Sequence, residues 1–309
     1  MSEPLQAVIL CGAVSPEREV SLRSGRAVAG ALPGGRLVEL ATNALPEWLD
    51  PHQHVVIPVI HGDYGEDGTV QAELAARGLA YAGCEAAASR LCLDKVATKH
   101  TMRCAGVPAL PEVAFVGDRP PTAAALVAAL GPQLVIKPAD KGSSVGLYVV
   151  DGLVAVAAAL AQIPARGQWM AERRLVGREM SIGILGGQAM GLVEIIPRTG
   201  VYDYQSKYTK GSSAYIYPAV VPEALAQRIR QAAEALFQAC GCRDFARADL
   251  FLEPDGEFYF LEINTMPGMT ETSLMPKSAS CAGLDFTALV QRMTTPAFER
   301  AIARIAPSA

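Results

Sequence analysis

Two short apolar segments separated by a turn carry the residues with the most specific chemistry in the chain. Residues 248–252 and 258–263 alternate like β-strands, and the intervening Glu-Pro-Asp-Gly predicts a hairpin. Pairing would bring Asp249, Glu262 and Asn264 together, because the last two lie two positions apart and share one strand face. Such oxygen donors suit Mg²⁺ that is bound together with phosphate. The pattern predicts a metal site, and a solvated hairpin face is the alternative.

A loop rich in glycine and serine is the second chemical signal. It spans 141–146, follows the predicted strand 134–137, and contains Ser143 and Ser144 between two glycines. Successive backbone N–H groups of such a loop can bind phosphate oxygens. The loop lacks Walker spacing, so an ordinary hairpin turn is the alternative. Lys137, at the end of the strand, favours phosphate binding because it adds a positive charge beside the loop.

Charged or aromatic residues mark further candidate sites. Lys95 begins a predicted helix, where a cation opposes the helix dipole, and an exposed charge is the alternative. Glu17 lies at the start of the first helix, for which Ser15 is the predicted N-cap; an acid there suits the dipole as well as a ligand. The loop His61–Gly68 has three glycines and three acids, typical of a tight turn or a substrate loop. Segment 202–217, with five tyrosines, predicts a mobile lid.

Composition excludes several classes of function. Half of the 309 residues are hydrophobic, but no apolar run reaches the length of a membrane span. The first residues have neither the basic nor the apolar part of a secretion signal. A net charge of −4 argues against nucleic acid as a partner, and seven scattered cysteines indicate reduced thiols. We therefore expect a cytoplasmic protein that binds neither nucleic acid nor membrane.

Strand-like and helix-like segments alternate along the chain, which predicts an α/β fold. The N-terminal segments predict parallel strands, whose carboxyl ends form the natural edge for a ligand. Segments 180–185 and 189–196 are typical of antiparallel strands. Long helices are predicted near 222–240 and 285–304. The elements therefore predict several domains that place the candidate residues at strand ends and in loops.

Eight motifs occur in order along almost the whole chain. They are Ser15-Pro-Glu-Arg-Glu-Val-Ser-Leu22, His61-Gly-x-x-Gly-Glu-Asp-Gly68, Asp94-Lys95, Lys137-Pro138, Gly142-Ser-Ser-Val-Gly146, Tyr202-Asp-Tyr-x-x-Lys207-Tyr208, Arg247-x-Asp249 and Glu262-x-Asn264-Thr-x-Pro-Gly-Met-Thr-x-x-Ser273-Leu274-x-Pro276. Together they resemble the D-alanine–D-alanine ligase family of the ATP-grasp superfamily. Each motif alone is moderately specific, and the ordered set is highly specific.

The resemblance implies an α/β (α+β) fold of the ATP-grasp type. Residues 1–92 would form a Rossmann-like substrate domain that precedes the ATP-grasp region. Residues 93–172 and 173–309 would form central and C-terminal domains that hold ATP between antiparallel sheets, the latter with the metal site and the lid. The resemblance also implies a homodimer.

The resemblance further implies a reaction. ATP would phosphorylate the carboxylate of one D-alanine, and the amine of a second D-alanine would attack the acyl phosphate. Release of phosphate and ADP would leave D-alanyl-D-alanine, a peptidoglycan precursor made in the bacterial cytoplasm.

By resemblance, the first D-alanine binds through Glu17, with His61 nearby. Ser143 and Tyr208 would link to Glu17 by hydrogen bonds across the closed lid.

The second set of substrate residues lies after the hairpin, again by resemblance. Arg247 and the backbone of Gly268 would stabilise the oxyanion of the tetrahedral intermediate. Ser273 and Leu274 would contact the carboxylate of the second D-alanine.

The remaining residues are assigned by resemblance to ATP and its metal ions. Lysines would neutralise phosphate oxygens, and the two glutamates would face the adenine and ribose. The nucleotide residues are Lys95, Lys137, Ser143, Ser144, Glu172, Arg173, Glu179 and Lys207. Asp249, Glu262 and Asn264 would hold two Mg²⁺ ions, which Mn²⁺ can replace.

The chain departs from the family pattern at a few positions, and three other functions stay open. Cys11 replaces a usual glycine and Arg173 a usual lysine, while the orientation of Ile263 is unassigned. The alternatives are a D-alanine–D-lactate ligase, a nucleotide-binding protein without activity, and an ATP-grasp ligase for other substrates. Lys207-Tyr208 favours the dipeptide over the ester. The complete set of charged groups argues against an inactive protein, and the Glu17 and His61 motifs argue against other substrates.

Overall fold

A four-stranded parallel sheet forms the N-terminal part of the protein. The computed structural model describes residues 4–142, 146–198 and 211–305. The strands of the first sheet, in the spatial order β2-β1-β3-β4, are β1 (Gln6–Gly12), β2 (Arg36–Leu40), β3 (His54–Pro58) and β4 (Ala80–Tyr81). Its helices are α1 (Arg18–Ala31), α2 (Asp63–Glu66), α3 (Thr69–Ala76) and α4 (Ala86–Leu93). The predicted parallel unit is therefore confirmed.

A second, antiparallel sheet follows and has the order β5-β8-β6-β7. Its strands are β5 (Glu112–Val116), β6 (Gln133–Pro138), β7 (Tyr148–Asp151) and β8 (Gln168–Arg173). The accompanying helices are α5 (Lys95–Cys104), α6 (Ala123–Leu130) and α7 (Leu153–Leu160). The side chain of Asp94 caps α5 by accepting hydrogen bonds from the backbone N–H groups of Val96 and Ala97, at 3.0 Å each. This cap fixes the position of Lys95 in the first turn.

The third sheet is also antiparallel and has the order β11-β10-β9-β12-β13. Its strands are β9 (Arg178–Leu185), β10 (Gln188–Pro197), β11 (Ser213–Ile216), β12 (Phe245–Leu252) and β13 (Phe258–Asn264). Its helices are α8 (Glu223–Ala239), α9 (Leu274–Cys281) and α10 (Phe286–Ile305). The mixed α/β prediction is confirmed, whereas the predicted domain boundaries at 92/93 and 172/173 stay a prediction.

The β12–β13 hairpin brings together the residues that the sequence predicts, and its register shifts by one residue between Asp249 and Leu250. Asp249 pairs directly with Glu262, and Arg247 pairs with Asn264. Ile263 points to the other face, where it is 2% exposed within the apolar core that β9, β12, β13 and α8 share. The orientation of Ile263 is thereby settled, because alternate residues of a strand face opposite sides.

The C-terminal helix packs on the first sheet. Residues of α9 and α10 such as Met275 and Leu289 share one apolar core with β1 and β3. A buried ion pair reinforces this packing, since Arg300 of α10 donates to both carboxylate oxygens of Asp244, at 2.9 and 2.6 Å. Asp244 also accepts from the backbone N–H of Gly83, at 2.9 Å. No helix of the described ranges is both long and apolar enough to cross a membrane.

The start of α1 differs from the prediction. The helix begins at Arg18, and its N-cap is Glu17 rather than Ser15. Ser15 Oγ instead donates to the carbonyl oxygen of His61, at 2.8 Å, and accepts from the backbone N–H of Glu17, at 2.9 Å. The predicted cap was wrong because a tertiary hydrogen bond engages this hydroxyl. It joins the loop after β1 to the loop after β3.

We predict that Arg300→Met lowers the free energy of unfolding by about 2 kcal/mol. The substitution leaves the carboxylate of Asp244 buried beside β4 without its cation, a loss that partial exposure of Arg300 moderates. Urea unfolding measures the change. Arg304→Met is the matched control, because Arg304 lies one turn further along α10 and is exposed. Equal effects of the two substitutions would contradict this role of the ion pair.

Candidate functional site

Two adjacent cavities lie where the three sheets approach one another. The smaller has a volume of about 90 Å³ and the larger about 510 Å³. Lys95 and Glu262 line both cavities, so these two side chains form the boundary between them. The larger volume falls within the range of about 300–1,000 Å³ that is usual for cofactor sites.

All six predicted substrate residues line the smaller cavity. Three of its walls come from the loops after β1, β3 and β13, and Gly142 of the glycine-rich loop adds a fourth. The six residues are Glu17, His61, Arg247, Gly268, Ser273 and Leu274. The structure therefore brings them together, while their individual roles stay a prediction.

Glu66 also lines this cavity and was not predicted as a site residue. It ends α2, a short helix inside the segment that the sequence analysis treats as a loop. Burial raises the pKa of Glu66, and the nearby charge of Glu17 adds to this effect, while His61 opposes it. The distance between His61 Nδ1 and a carboxylate oxygen of Glu66 is 3.8 Å. The signal was present in the His61–Gly68 motif, but local sequence does not reveal which of its three acids faces inward.

Arg247 and Asp249 form a bidentate ion pair along β12. Arg247 Nε donates to Asp249 Oδ1 at 2.9 Å, and its Nη2 donates to Oδ2 at 2.8 Å. The hydroxyl of Ser181, on β9, also donates to Asp249 Oδ1, at 2.6 Å. Ser181 is a partner that the sequence analysis did not find, because only the β9–β12 register brings it beside Asp249.

The loop after β13 is held by short-range hydrogen bonds. Asn264 Oδ1 accepts from the backbone N–H of Met266, at 2.7 Å. Ser273 Oγ accepts from the backbone N–H of Thr270, at 2.9 Å. A side chain at Gly268 would place its Cβ 2.8 Å from Ser273 Oγ, so only glycine fits there. The loop therefore presents its backbone to the smaller cavity in one conformation.

Lys277 donates a hydrogen bond to this loop and was also not predicted as a site residue. Its ammonium donates to the carbonyl oxygen of Glu271, at 3.0 Å, and lies 4.6 Å from the ring centre of Tyr215. Burial lowers the pKa of Lys277 to about 8. The lysine thus connects the loop after β13 with β11.

Five of the eight predicted nucleotide-binding residues line the larger cavity. These are Lys95, Lys137, Glu172, Arg173 and Glu179. The carboxylates of Asp249 and Glu262 line the same cavity. Ser143, Ser144, Lys207 and Tyr208 lie outside the described residues, as does most of the predicted lid, and their assignments stay predictions.

Lys95 is buried rather than exposed. Its ammonium donates to the carbonyl oxygen of Lys141, at 2.7 Å, and lies 3.4 Å from a carboxylate oxygen of Glu262. The exposed-charge alternative is therefore wrong. Lys141 in turn donates to Asp63 at the start of α2, at 2.7 Å. These contacts tie the glycine-rich loop to both the N-terminal part and the hairpin.

A buried carboxylate lies between two lysines on the wall of the larger cavity. One oxygen of Glu172 forms an ion pair with Lys137, and the other lies 2.8 Å from the ammonium of Lys99. Burial alone would raise the pKa of Glu172, but the two positive charges outweigh it and lower the pKa to about 2. Lys99 was missed, because its contact joins α5 to β8, which are distant in sequence.

Arg173 lies beside this cluster, but its guanidinium is engaged elsewhere. It forms a bidentate pair with Glu253 of the hairpin turn, with distances of 2.8 and 2.9 Å. Arg173 therefore lines the cavity while its charge is matched by Glu253.

Comparisons with known proteins identify the family. The family described as "D-ala D-ala ligase C-terminus" matches residues 102–295. A D-alanine–D-alanine ligase from Anaeromyxobacter sp. (strain Fw109-5) is 38% identical, with 93% of this chain and 95% of the relative covered.

Two solved structures are similar over almost the whole chain. One is the D-alanine–D-alanine ligase from Bacillus anthracis complexed with ATP, with 25% identity, a TM-score of 0.81, and coverage of 98% of this chain and 100% of that chain. The other is the VanG D-Ala:D-Ser ligase from Enterococcus faecalis, with 26% identity, a TM-score of 0.80, and coverage of 96% and 100%.

The chain belongs to the D-alanine–D-alanine ligase family. The resemblance stated from the eight motifs and the ATP-grasp fold are thus confirmed. Cys11 departs from the family pattern, and Gly25 leaves room for its side chain. A Cβ at position 25 would lie only 2.5 Å from the Cβ of Cys11. Gly12, the family glycine that is retained, has a φ of 86°, which glycine adopts without strain.

We predict that Glu172→Gln makes the free energy of unfolding of this ligase less dependent on pH in the acid range. Folding lowers the pKa of this carboxyl group. Such a group stabilises the folded state at pH values above its pKa in the unfolded chain, and this contribution is lost as pH falls through its pKa in the folded state. The loss should occur as pH falls from about 4.5 to about 2 and amount to about 3 kcal/mol.

Urea unfolding at several pH values between about 7 and 3 tests this prediction. The wild type should lose stability more steeply than Glu172→Gln below about pH 4.5. Glu257→Gln is the control, because Glu257 is exposed and should behave like the wild type. Parallel curves for wild type and Glu172→Gln would contradict the charge assignment.

Proposed function

We propose that this chain is an ATP-dependent ligase that joins two D-alanine molecules to D-alanyl-D-alanine through a D-alanyl phosphate. The observation that carries the proposal is the pair of connected cavities that share Lys95 and Glu262. The larger has room for a nucleotide, and the smaller has charged groups suited to an amino acid. A phosphoryl group in the larger cavity can therefore meet a carboxylate in the smaller cavity.

Positioning and neutralisation of charge supply the catalysis. ATP and a carboxylate substrate are both anionic, so their approach requires cations beside the reacting oxygens. Lys95 and Lys137, which line the larger cavity, fit this requirement, and Lys207 is a third lysine from the motif. They would hold the phosphate oxygens while the carboxylate of D-alanine attacks.

The smaller cavity would orient the two amino acids. The carboxylate of Glu17 fits the ammonium of the first D-alanine, and His61 lines the same cavity. Arg247 and the backbone of Gly268 fit the oxyanion that forms when the amine of the second D-alanine attacks the acyl phosphate. Ser273 and Leu274 would contact the carboxylate of that second substrate.

The hairpin carboxylates fit a magnesium site. Asp249 and Glu262 are paired across the hairpin and line the larger cavity, and Asn264 shares the strand face of Glu262. Carboxylate and amide oxygens beside phosphate-binding lysines form a donor set that Mg²⁺ prefers. These three residues would hold Mg²⁺, two ions by resemblance, and the metal would supply positive charge against the phosphate oxygens. Mn²⁺ can replace it on the same oxygen ligands.

The identity of the second substrate is the main open choice. The fold is shared with a D-Ala:D-Ser ligase at a TM-score of 0.80, so the fold alone does not select the nucleophile. D-alanine–D-lactate ligation, the alternative left open by the sequence, is the second candidate. The motif Lys207-Tyr208 favours the dipeptide. By the same resemblance, the enzyme would act in the cytoplasm as a homodimer and supply peptidoglycan precursors.

The first experiment measures ATP-dependent phosphate release with D-alanine, with L-alanine, and with D-alanine plus D-lactate. Mass spectrometry identifies the products. We expect release with D-alanine alone, the dipeptide as product, and no release with L-alanine. A main product that contains the ester would replace the proposal with the lactate ligase. No release with any substrate would refute the ligase reaction for D-alanine.

We further predict that Glu262→Gln lowers kcat by at least about 100-fold, because it removes a charge that binds metal at the boundary of the two cavities. The same phosphate-release assay at saturating Mg²⁺ measures the effect. Glu257→Gln is the control, since Glu257 lies on the same hairpin and is exposed. Near-normal turnover of Glu262→Gln would exclude the metal assignment.

A further inference from the structure

Lys99 is a buried charge that the proposed mechanism does not use. It lies on α5, one turn after Lys95, and its exposure is 0%. It lines neither cavity, whereas Glu172 and Lys137 both line the larger one. A buried lysine loses its hydration, and burial accordingly lowers the pKa of Lys99 although Glu172 opposes the change. Burying a charge is costly unless the charge is paired, so the partner of Lys99 decides its role.

The only carboxylate that the structure places within ion-pair distance of Lys99, among the described residues, is that of Glu172, at 2.8 Å. The other oxygen of Glu172 pairs with Lys137, so one buried carboxylate serves two ammonium groups. The contact between Lys99 and Glu172 joins opposite charges, and it raises the pKa of Lys99 against the effect of burial. Lys99 therefore supplies one of the two positive charges that face Glu172.

The two lysines differ in what they can reach. Lys137 ends β6 at the cavity wall, and 12% of its side chain is exposed. Its ammonium can move from Glu172 to a phosphate oxygen in the cavity. That movement leaves Glu172 buried, which is costly for a carboxylate without a cation. With Lys99 in place, Glu172 keeps a neutralising partner when Lys137 moves.

We infer that Lys99 is a positioning residue for the nucleotide: it holds the charge of Glu172 so that Lys137 is released to bind phosphate. This inference rests on the nucleotide site of the proposed function and identifies a residue outside that site on which its affinity depends. Without Lys99, Glu172 would retain Lys137, and nucleotide binding would have to break a buried ion pair.

The test is a double-mutant cycle on nucleotide affinity. Calorimetry with a non-hydrolysable ATP analogue and Mg²⁺, without D-alanine, measures Kd for wild type, Lys99→Met, Glu172→Gln and the double variant. We expect Lys99→Met to raise Kd at least about tenfold in the wild-type background. In the Glu172→Gln background the same substitution should change Kd less than about twofold, because no carboxylate remains to hold Lys137.

A purely structural role for Lys99 gives a different result. Lys99→Met would then weaken binding equally in both backgrounds, or not at all, and either result would overturn the inference. In steady-state assays the inferred role raises KM for ATP and leaves KM for D-alanine unchanged. Arg103→Met is the matched control, because Arg103 lies on the same helix and its substitution removes an ion pair with Glu112 instead.

Folding is checked separately by urea unfolding of each variant. Lys99→Gln is the second neutral variant, smaller and able to donate a hydrogen bond to Glu172, and should also raise Kd about tenfold if it folds. Failure of both neutral variants to fold, while Lys99→Arg folds, would assign Lys99 to folding and overturn the inference. Wild type that binds the analogue but releases no phosphate with D-alanine would refute only the proposed function. Wild type that does not bind the analogue would refute both.

Discussion

The antiparallel register between β12 and β13 is the constraint on which the site depends. It places Asp249 opposite Glu262 and leaves Ile263 in the core on the other face. A slip of one residue would exchange these faces, burying the carboxylates and exposing the isoleucine. The apolar core therefore selects the register, and the register presents the acidic side chains to the cavities. Because Glu262 borders both cavities, the same pairing also places one carboxylate at the boundary of the larger and the smaller cavity.

Around this hairpin, three acids lie beside cations. Lys95 lies beside Glu262, Arg247 pairs with Asp249, and two lysines share Glu172. A nearby positive charge offsets the cost of removing each of these three carboxylates from water. The arrangement suits a reaction in which anions must approach one another, because positive charges already lie beside the cavities before the substrates arrive.

The loops of the N-terminal sheet form part of the smaller cavity and are held there by contacts from distant parts of the chain. Ser15 connects the loops after β1 and β3, and Lys141 of the second sheet region reaches Asp63. On the far side, α10 packs on β3 and β4, and Arg300 links this helix to Asp244. The smaller cavity is therefore formed by segments from both ends of the chain, which explains why its walls require the whole fold.

The sequence by itself determined the hairpin, the helix that begins at Lys95, the parallel N-terminal unit and the family, because periodicity, turn residues and motif spacing are local properties. It also indicated which polar residues would gather at the two cavities. Only the tertiary structure decided that Lys99 lies against Glu172, that Glu66 faces inward, that Arg173 is paired with Glu253, and that Ser15 does not cap α1. Each of these depends on a partner far away in the chain, and the geometry of such a partner follows from packing rather than from neighbouring residues.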